Sequence, residues 1–252
     1  MSHVTSNPPN GTPTWIELGV PDRERAMGFY RALFGWEYAG GSAASDSRTT
    51  CLLRGKAVAA ITRGTDGAAV PRWLMYIAAD DCDATAKRVR DAGGTLLMAP
   101  DEVMDLGRAA VAEDPVGARF GLWQGRAHVG CEVVNEPGSL VRNDLVTPDP
   151  GPARAFYTGV FDYTLDSNPD LPDFDFTFLR RPDGYEIGGV FGLPGASASA
   201  WATTFEVDGT DAAVERATAA GGTASAPEDM AYGRIATVTD PFGTEFSVIT
   251  RA

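Results

Sequence analysis

Histidine and cysteine are scarce in this chain: among 252 residues there are two histidines, His3 and His128, and three cysteines. Imidazole is the usual general base near neutral pH and the commonest metal ligand, so a histidine-built centre is hard to assemble here. Cys51, Cys82 and Cys131 are odd in number and lack metal-type spacing, which argues against a disulfide framework or a zinc site and suits a reducing compartment. Positive charge is short as well, with 21 Lys and Arg against 34 Asp and Glu and a formal net charge of −13. That field repels a phosphate backbone, and no basic stripe overrides it, so nucleic acid is not an expected partner. No apolar run approaches the roughly 20 residues of a membrane helix. Met1 to Pro13 is polar, without the basic start and apolar stretch of a secretion signal, and reads as a loose tail on a cytoplasmic protein.

What is present is a globular composition, 44% hydrophobic and 22% charged, at a length that suits two domains. Three signatures recur at nearly one offset. Pro21-Asp22 with Phe29-Tyr30 and Phe34 returns 127 residues later as Pro148-Asp149, Phe156-Tyr157 and Phe161. Asp83-Ala84 leading to Ala92-Gly93-Gly94 returns 128 residues later, and Asp114-Pro115-x-Gly117 returns 126 residues later as Asp240-Pro241-x-Gly243. Agreement of this kind marks an internal duplication. Breaker residues Glu136-Pro137-Gly138-Ser139 fall between the copies. The expected organisation is a tail over 1–13, one domain over 14–130 and a second over 131–252.

Each copy divides again into a strand, a helix and further strands, twice over. Trp15 to Val20 reads as a strand, Asp22 as a helix cap, and Ala26, Phe29, Tyr30, Leu33 and Phe34 follow helical spacing. A Gly/Ser-rich loop from Gly40 to Ser47, a connection or a lid, precedes strands over Thr49–Leu53 and Ala57–Thr62. The second unit has a strand over Trp73–Ala79, a helix over Asp83–Ala92 ended by Gly93-Gly94, and strands near Thr95, Ala109 and Arg119. Copy 2 repeats the plan, with helices over Pro150–Val160 and Asp211–Ala219.

The run Trp15-Ile-Glu-Leu-Gly-Val-Pro-Asp22, followed by Phe29-Tyr30 and Leu33-Phe34-Gly35-Trp36, resembles the opening of the vicinal oxygen chelate superfamily, which includes glyoxalases, extradiol dioxygenases and bleomycin-binding proteins. The resemblance covers almost the whole chain. It implies an α+β fold of four βαβββ modules forming two cup-shaped barrels in tandem, as a monomer or a homodimer. Enzymes of the superfamily use a divalent metal held by His, Glu or Gln. By the resemblance, the opening-strand ligand falls seven residues before the helix-start Asp, on Trp15 and Arg142, and in the second units on Leu74 and Ala202. The closing-strand ligand falls seven residues after the Asp of Asp-Pro-x-Gly, on Gly121 and Ser247. None is a ligand of the family type, so neither a metal nor another cofactor is expected.

Residues two apart on a strand share a face, which places Glu17 with Trp15 and Asp144 with Arg142. Copy 1 then offers Trp15, Glu17, Tyr76 and Trp123, an aromatic surface with one carboxylate, and copy 2 offers the more polar Arg142, Asp144, Thr204, Glu245 and Ser247. The aromatic set fits a stacking platform or a closed core, and Arg142 with Asp144 fits a binding pair or a structural ion pair. His128 reads as a surface or linker residue. Trp73, Trp201 and the two Phe-Tyr pairs read as packing residues. The expected function is metal-independent binding of a small aromatic or polyketide-like compound, as an accessory protein of the bleomycin-resistance type. The alternatives are a lyase, isomerase, hydroxylase or dioxygenase with relocated ligands such as Asp144 and Glu245, catalysis by Glu17 or Asp144 as a general base, or cups collapsed into cores that serve assembly.

Overall fold

The computed structural model describes residues 3–40, 48–64, 70–167 and 174–252. Copy 1 consists of β1 (Pro13–Val20), α1 (Arg23–Phe34), β2 (Glu37–Ala39), β3 (Arg48–Leu53) and β4 (Lys56–Arg63), then β5 (Trp73–Ala78), α2 (Cys82–Asp91), β6 (Thr95–Val103), β7 (Gly107–Glu113) and β8 (Arg119–Gly125). Copy 2 has β9 (Leu140–Thr147), α3 (Pro150–Phe161), β10 (Thr164–Ser167), β11 (Asp175–Arg180) and β12 (Glu186–Gly192), then β13 (Ala200–Glu206), α4 (Thr210–Ala219), β14 (Thr223–Ala224), β15 (Glu228–Met230), β16 (Gly233–Thr239) and β17 (Glu245–Arg251).

The first sheet runs β2-β3-β4-β1-β5-β8-β7-β6 and the second β10-β11-β12-β9-β13-β17-β16-β14, with β15 on β16. In each, two units meet at an antiparallel central pair, β1 with β5 and β9 with β13. Each sheet order is open-ended, so the two sheets form the cups that the sequence suggested, open along one side. The helices cover the convex faces, and across the copies α1 packs on α4 and α2 on α3.

Local chemistry explains the helix ends. Asp22 accepts the backbone N–H of Arg25, and Gly35 at φ 73° stops α1 in the left-handed region. Asp81, one residue before Cys82, caps α2 where the sequence suggested a start at Asp83; Asp83 lies in the first turn and binds Arg108. Strands β2 and β10 escaped the sequence pattern because they are short edge strands with little burial.

Residues 3–12 are not a loose tail. Gly11 N–H and Ala78 N–H exchange hydrogen bonds with the carbonyls of Ala78 and Thr12, and Val4 N–H donates to Glu132. The segment between the copies folds back too, through Cys131 N–H to Thr14 and Glu132 N–H to Ala57. Together the two segments satisfy backbone groups of Thr14 on β1, Ala57 on β4 and Ala78 on β5. Gly41 to Ser47, where a loop or lid was expected, lie outside the described residues. No helix among the described residues is long and apolar enough to cross a membrane.

Candidate functional site

Lateral register lines up one residue per strand across each concave face. In copy 1, Trp15 stands opposite Tyr76, Tyr76 beside Gly121, and Gly121 opposite Val111. In copy 2 the same row reads Arg142, Thr204, Ser247 and Thr237. The resemblance had pointed to Leu74 and Ala202 on the fifth and thirteenth strands, but these pair with Glu17 and Asp144, one rung along the same face. Tyr76 and Thr204 therefore hold the places in line with the opening and closing strands. Two rows of common origin now have opposite chemistry.

The copy 1 row is closed. Trp15, Tyr76 and Trp123 are 2%, 8% and 4% exposed. Trp15 donates its indole N–H to Glu17 Oε1 at 3.0 Å, the Tyr76 hydroxyl lies 3.4 Å from Glu17 Oε2, and Arg48 pairs with Glu17 at 2.6 Å. Gly121 has become the seat of the Tyr76 ring, since a Cβ there would lie 2.1 Å from Tyr76 Cδ1. His128 is not a surface residue but closes the end of this cup, edge-on to Trp15 with ring centroids 4.4 Å apart and beside Trp123 at 5.5 Å. Its Nε2 is buried without a hydrogen bond among the described residues. Burial first, then Arg48, lowers its pKa to about 4, so the ring is neutral near pH 7. Glu17 thus sits among aromatic groups that already use its oxygens.

The copy 2 face is open. Alternation along β11 puts Phe176, Phe178 and Arg180 on the concave side, while Leu179 is buried on the other. Phe176 lies flat on the floor because Gly189 leaves room, a Cβ there coming within 2.2 Å of Phe176 Cζ. Phe176 and Phe178 meet edge to face at 5.1 Å, and the Arg142 guanidinium stands 5.7 Å from each ring centroid. Arg142 Nε donates to both oxygens of Asp144, at 2.9 and 2.7 Å, and its Nη1 donates to Glu186 at 2.6 Å. Arg180 joins from the far side, pairing with Glu186 and Asp166. Burial pushes the Asp144 carboxyl above its ordinary value, opposed by Arg142 and by the Gly189 backbone N–H. Arg142 is itself disfavoured by burial, but Asp144 and Glu186 outweigh that and raise it further. Burial and then the Asp144 charge raise the Tyr232 hydroxyl, which is therefore part of the same electrostatic neighbourhood.

The residue types that bind a metal do not gather here. Among the described residues no three His, Cys, Asp or Glu side chains converge. Glu245 is exposed on β17, β13 separates it from the strand of Asp144, and Asp144 is engaged by Arg142. The donor set in either cup thus does not fit the divalent ion used elsewhere in the fold family. Sequence reasoning had put Arg142, Asp144, Thr204, Glu245 and Ser247 on one face of copy 2 by strand parity, and the register aligns Arg142, Thr204 and Ser247 there. The same reasoning missed Phe176, Phe178, Arg180 and Glu186, although the alternation Phe174-x-Phe176-x-Phe178-x-Arg180 carries the signal.

Four βαβββ units, joined in pairs into two open cups, define a tandem protein of the vicinal oxygen chelate superfamily. A family model described as a glyoxalase-like domain matches residues 15–123 and again 141–249, and the chain belongs to that family, with two copies of its domain. It is 39% identical over 254 residues, 96% of this chain and 95% of the relative, to CFP32 of Mycobacterium tuberculosis, provisionally named a glyoxylase. It is 37% identical over 265 residues, 95% of this chain and 93% of the relative, to the anthracycline biosynthesis protein DnrV of Streptomyces peucetius. Among solved structures, the Mn(II)-bound glyoxalase from Novosphingobium aromaticivorans superposes with a TM-score of 0.67 at 18% identity, covering 96% of this chain and 84% of that one. The 2,3-dioxygenase LapB from Pseudomonas sp. KL28 gives 0.65 at 15% identity, covering 96% and 93%. These structural likenesses concern the fold alone.

Proposed function

We propose that the chain is a small-molecule-binding or accessory protein that holds a flat aromatic, polyketide-like compound on the concave face of copy 2 without help from a metal. The observation that carries this reading is the contrast between the two cups. One is filled by its own aromatic side chains, and the other leaves Phe176, Phe178 and a polar row half-exposed, the mixture of stacking surface and few polar groups typical of ligand sites. The names of two full-length relatives, DnrV and DauV, refer to anthracyclines, which are fused-ring aromatic polyketides. The test is a titration of the whole chain with a fused-ring aromatic compound, read by fluorescence. Saturable binding weakened at least tenfold by Phe176→Ala supports the reading, and no binding of any such compound overturns it. Metal content after loading with Fe(II), Mn(II), Ni(II) or Zn(II) tests the metal-free part. Stoichiometric metal lost on Asp144→Ala or Glu245→Ala would make this an enzyme with relocated ligands.

A second, catalytic reading rests on Asp144, whose carboxyl is raised by burial in the direction a general base requires. It predicts conversion of the bound compound that Asp144→Asn abolishes while binding persists, visible by mass spectrometry of the recovered ligand.

A further inference from the structure

The row Arg142, Thr204, Ser247 and Thr237 has a property that none of its members shows alone. Neighbouring strands lie about 4.8 Å apart, so the four side chains form a line across four strands on one face. Of the five N–H donors of a guanidinium, Arg142 uses its Nε and one on Nη1. Its Nη2 and the hydroxyls of Thr204, Ser247 and Thr237 make no hydrogen bond among the described residues. Thr204 and Ser247 are half-buried and Thr237 is exposed, so these donors face open space on the concave side and are available to a ligand that accepts from them in place of water. Phe176 and Phe178 stand beside the same guanidinium, so a flat ring packed against one face of this edge-to-face pair brings its edge to the row.

Charge decides what kind of edge. Arg142 is already balanced by Asp144 and Glu186, and Arg180 by Glu186 and Asp166. A carboxylate or phosphate would face those three acidic groups, in a protein of net charge −13. A neutral carbonyl or hydroxyl oxygen meets no such penalty and accepts from the same donors.

We propose that this row in copy 2 is an oxygen-recognition strip, in which the Arg142 guanidinium and the three hydroxyls take the place of a metal and hold the carbonyl and hydroxyl oxygens along one edge of a neutral fused-ring aromatic compound. This rests on the binding reading above and adds the chemical class. The strip selects oxygenated rings over bare ones, and neutral rings over anionic ones.

The experiment compares 1,8-dihydroxyanthraquinone, 9-methylanthracene and anthracene-2-carboxylate on the whole chain, on Phe176→Ala and on Thr204→Val/Ser247→Ala. The double variant is close to isosteric, and its fold is checked by circular dichroism and melting temperature. Dihydroxyanthraquinone is expected to bind at least tenfold more tightly than either other ring, with that advantage lost in the double variant. If all three rings bind equally and depend on Phe176, the oxygen strip is overturned while the binding reading stands. Preference for the carboxylate also overturns the strip, and failure of all three rings to bind overturns both.

Discussion

The Tyr30 hydroxyl of copy 1 donates to Asp240 Oδ2 of copy 2 at 3.0 Å, and the Tyr157 hydroxyl of copy 2 returns the bond to Asp114 Oδ2 of copy 1 at 2.9 Å. Each aspartate uses its other oxygen to hold its own turn, Asp240 Oδ1 accepting from Phe242 and Thr244 and Asp114 Oδ1 from Val116 and Ala118. The neighbouring phenylalanines cross over in the same way. A Cβ on Gly222 would lie 2.8 Å from Phe29, and one on Gly94 would lie 2.9 Å from Phe156. The Phe-Tyr pair, the Gly-Gly pair and the Asp-Pro-x-Gly turn are therefore parts of one device, which joins the copies around an approximate two-fold axis.

Removing either hydroxyl leaves a buried carboxylate oxygen unpartnered, which costs about 1–3 kcal/mol. Tyr30→Phe and Tyr157→Phe are each expected to lower the urea midpoint, and Tyr157→Phe by more, because the Trp201 indole also donates to Tyr157, at 2.8 Å. The two losses should add in the double variant, since the pairs share no partner. Urea midpoints unchanged in both single variants would show that the hydroxyls do not hold the copies together.

That crossing shows what the sequence can and cannot reveal. Repeat offsets exposed two copies, and strand parity put Arg142 with Asp144 and Trp15 with Glu17, because both patterns are local. The Phe-Tyr pairs read as simple helix packing because their partners lie in the other copy, 210 residues away for Tyr30 and Asp240. His128 read as a surface or linker residue and the N-terminal segment as a loose tail for the same reason, since their folding back onto β1 and β5 is a long-range event. The row position on the second-unit strands was displaced by two residues because register between strands is set by pairing and not by spacing along one of them.

Gly121 is the place where copy 1 became a core. Gly121→Ala forces the buried Tyr76 ring aside, an overpacking expected to cost about 1–3 kcal/mol. Adding Tyr76→Ala should remove the clash, so the double variant loses less than the two single losses combined. A neutral Gly121→Ala in a thermal melt would mean that the cup retains free space.

His128 makes stability pH-dependent with a definite sign. Its pKa is about 4 in the folded chain, and about 6.5 is ordinary for histidine, so between these values the unfolded chain binds the extra proton. Stability from this group is full above about pH 7 and is lost as pH falls toward 4, by about 3 kcal/mol. His128→Phe keeps a ring against Trp15 and removes the titration. Its denaturation midpoints should decline less than wild type over that window, and parallel declines would assign the acid sensitivity elsewhere.

Arg142 tests whether the ion network in copy 2 is structural as well as recognitional. With Arg142 31%, Asp144 22% and Glu186 29% exposed, Arg142→Met leaves the half-buried Asp144 carboxylate without its ion partner and Glu186 with Arg180 alone, an expected loss of about 1–3 kcal/mol at pH 7. Arg142 is what opposes the burial that raises the Asp144 carboxyl, so the substitution lifts that carboxyl further. A carboxyl raised above its unfolded value stabilises the fold at low pH and withdraws that support as pH climbs through the raised value. The deficit of Arg142→Met against wild type should therefore be smallest near pH 4 and grow toward pH 7. Replacing Asp144 as well, in Arg142→Met/Asp144→Leu, should recover most of the stability without restoring preference for oxygenated rings. A deficit that ignores pH would assign the loss to missing contacts with Phe176 and Phe178.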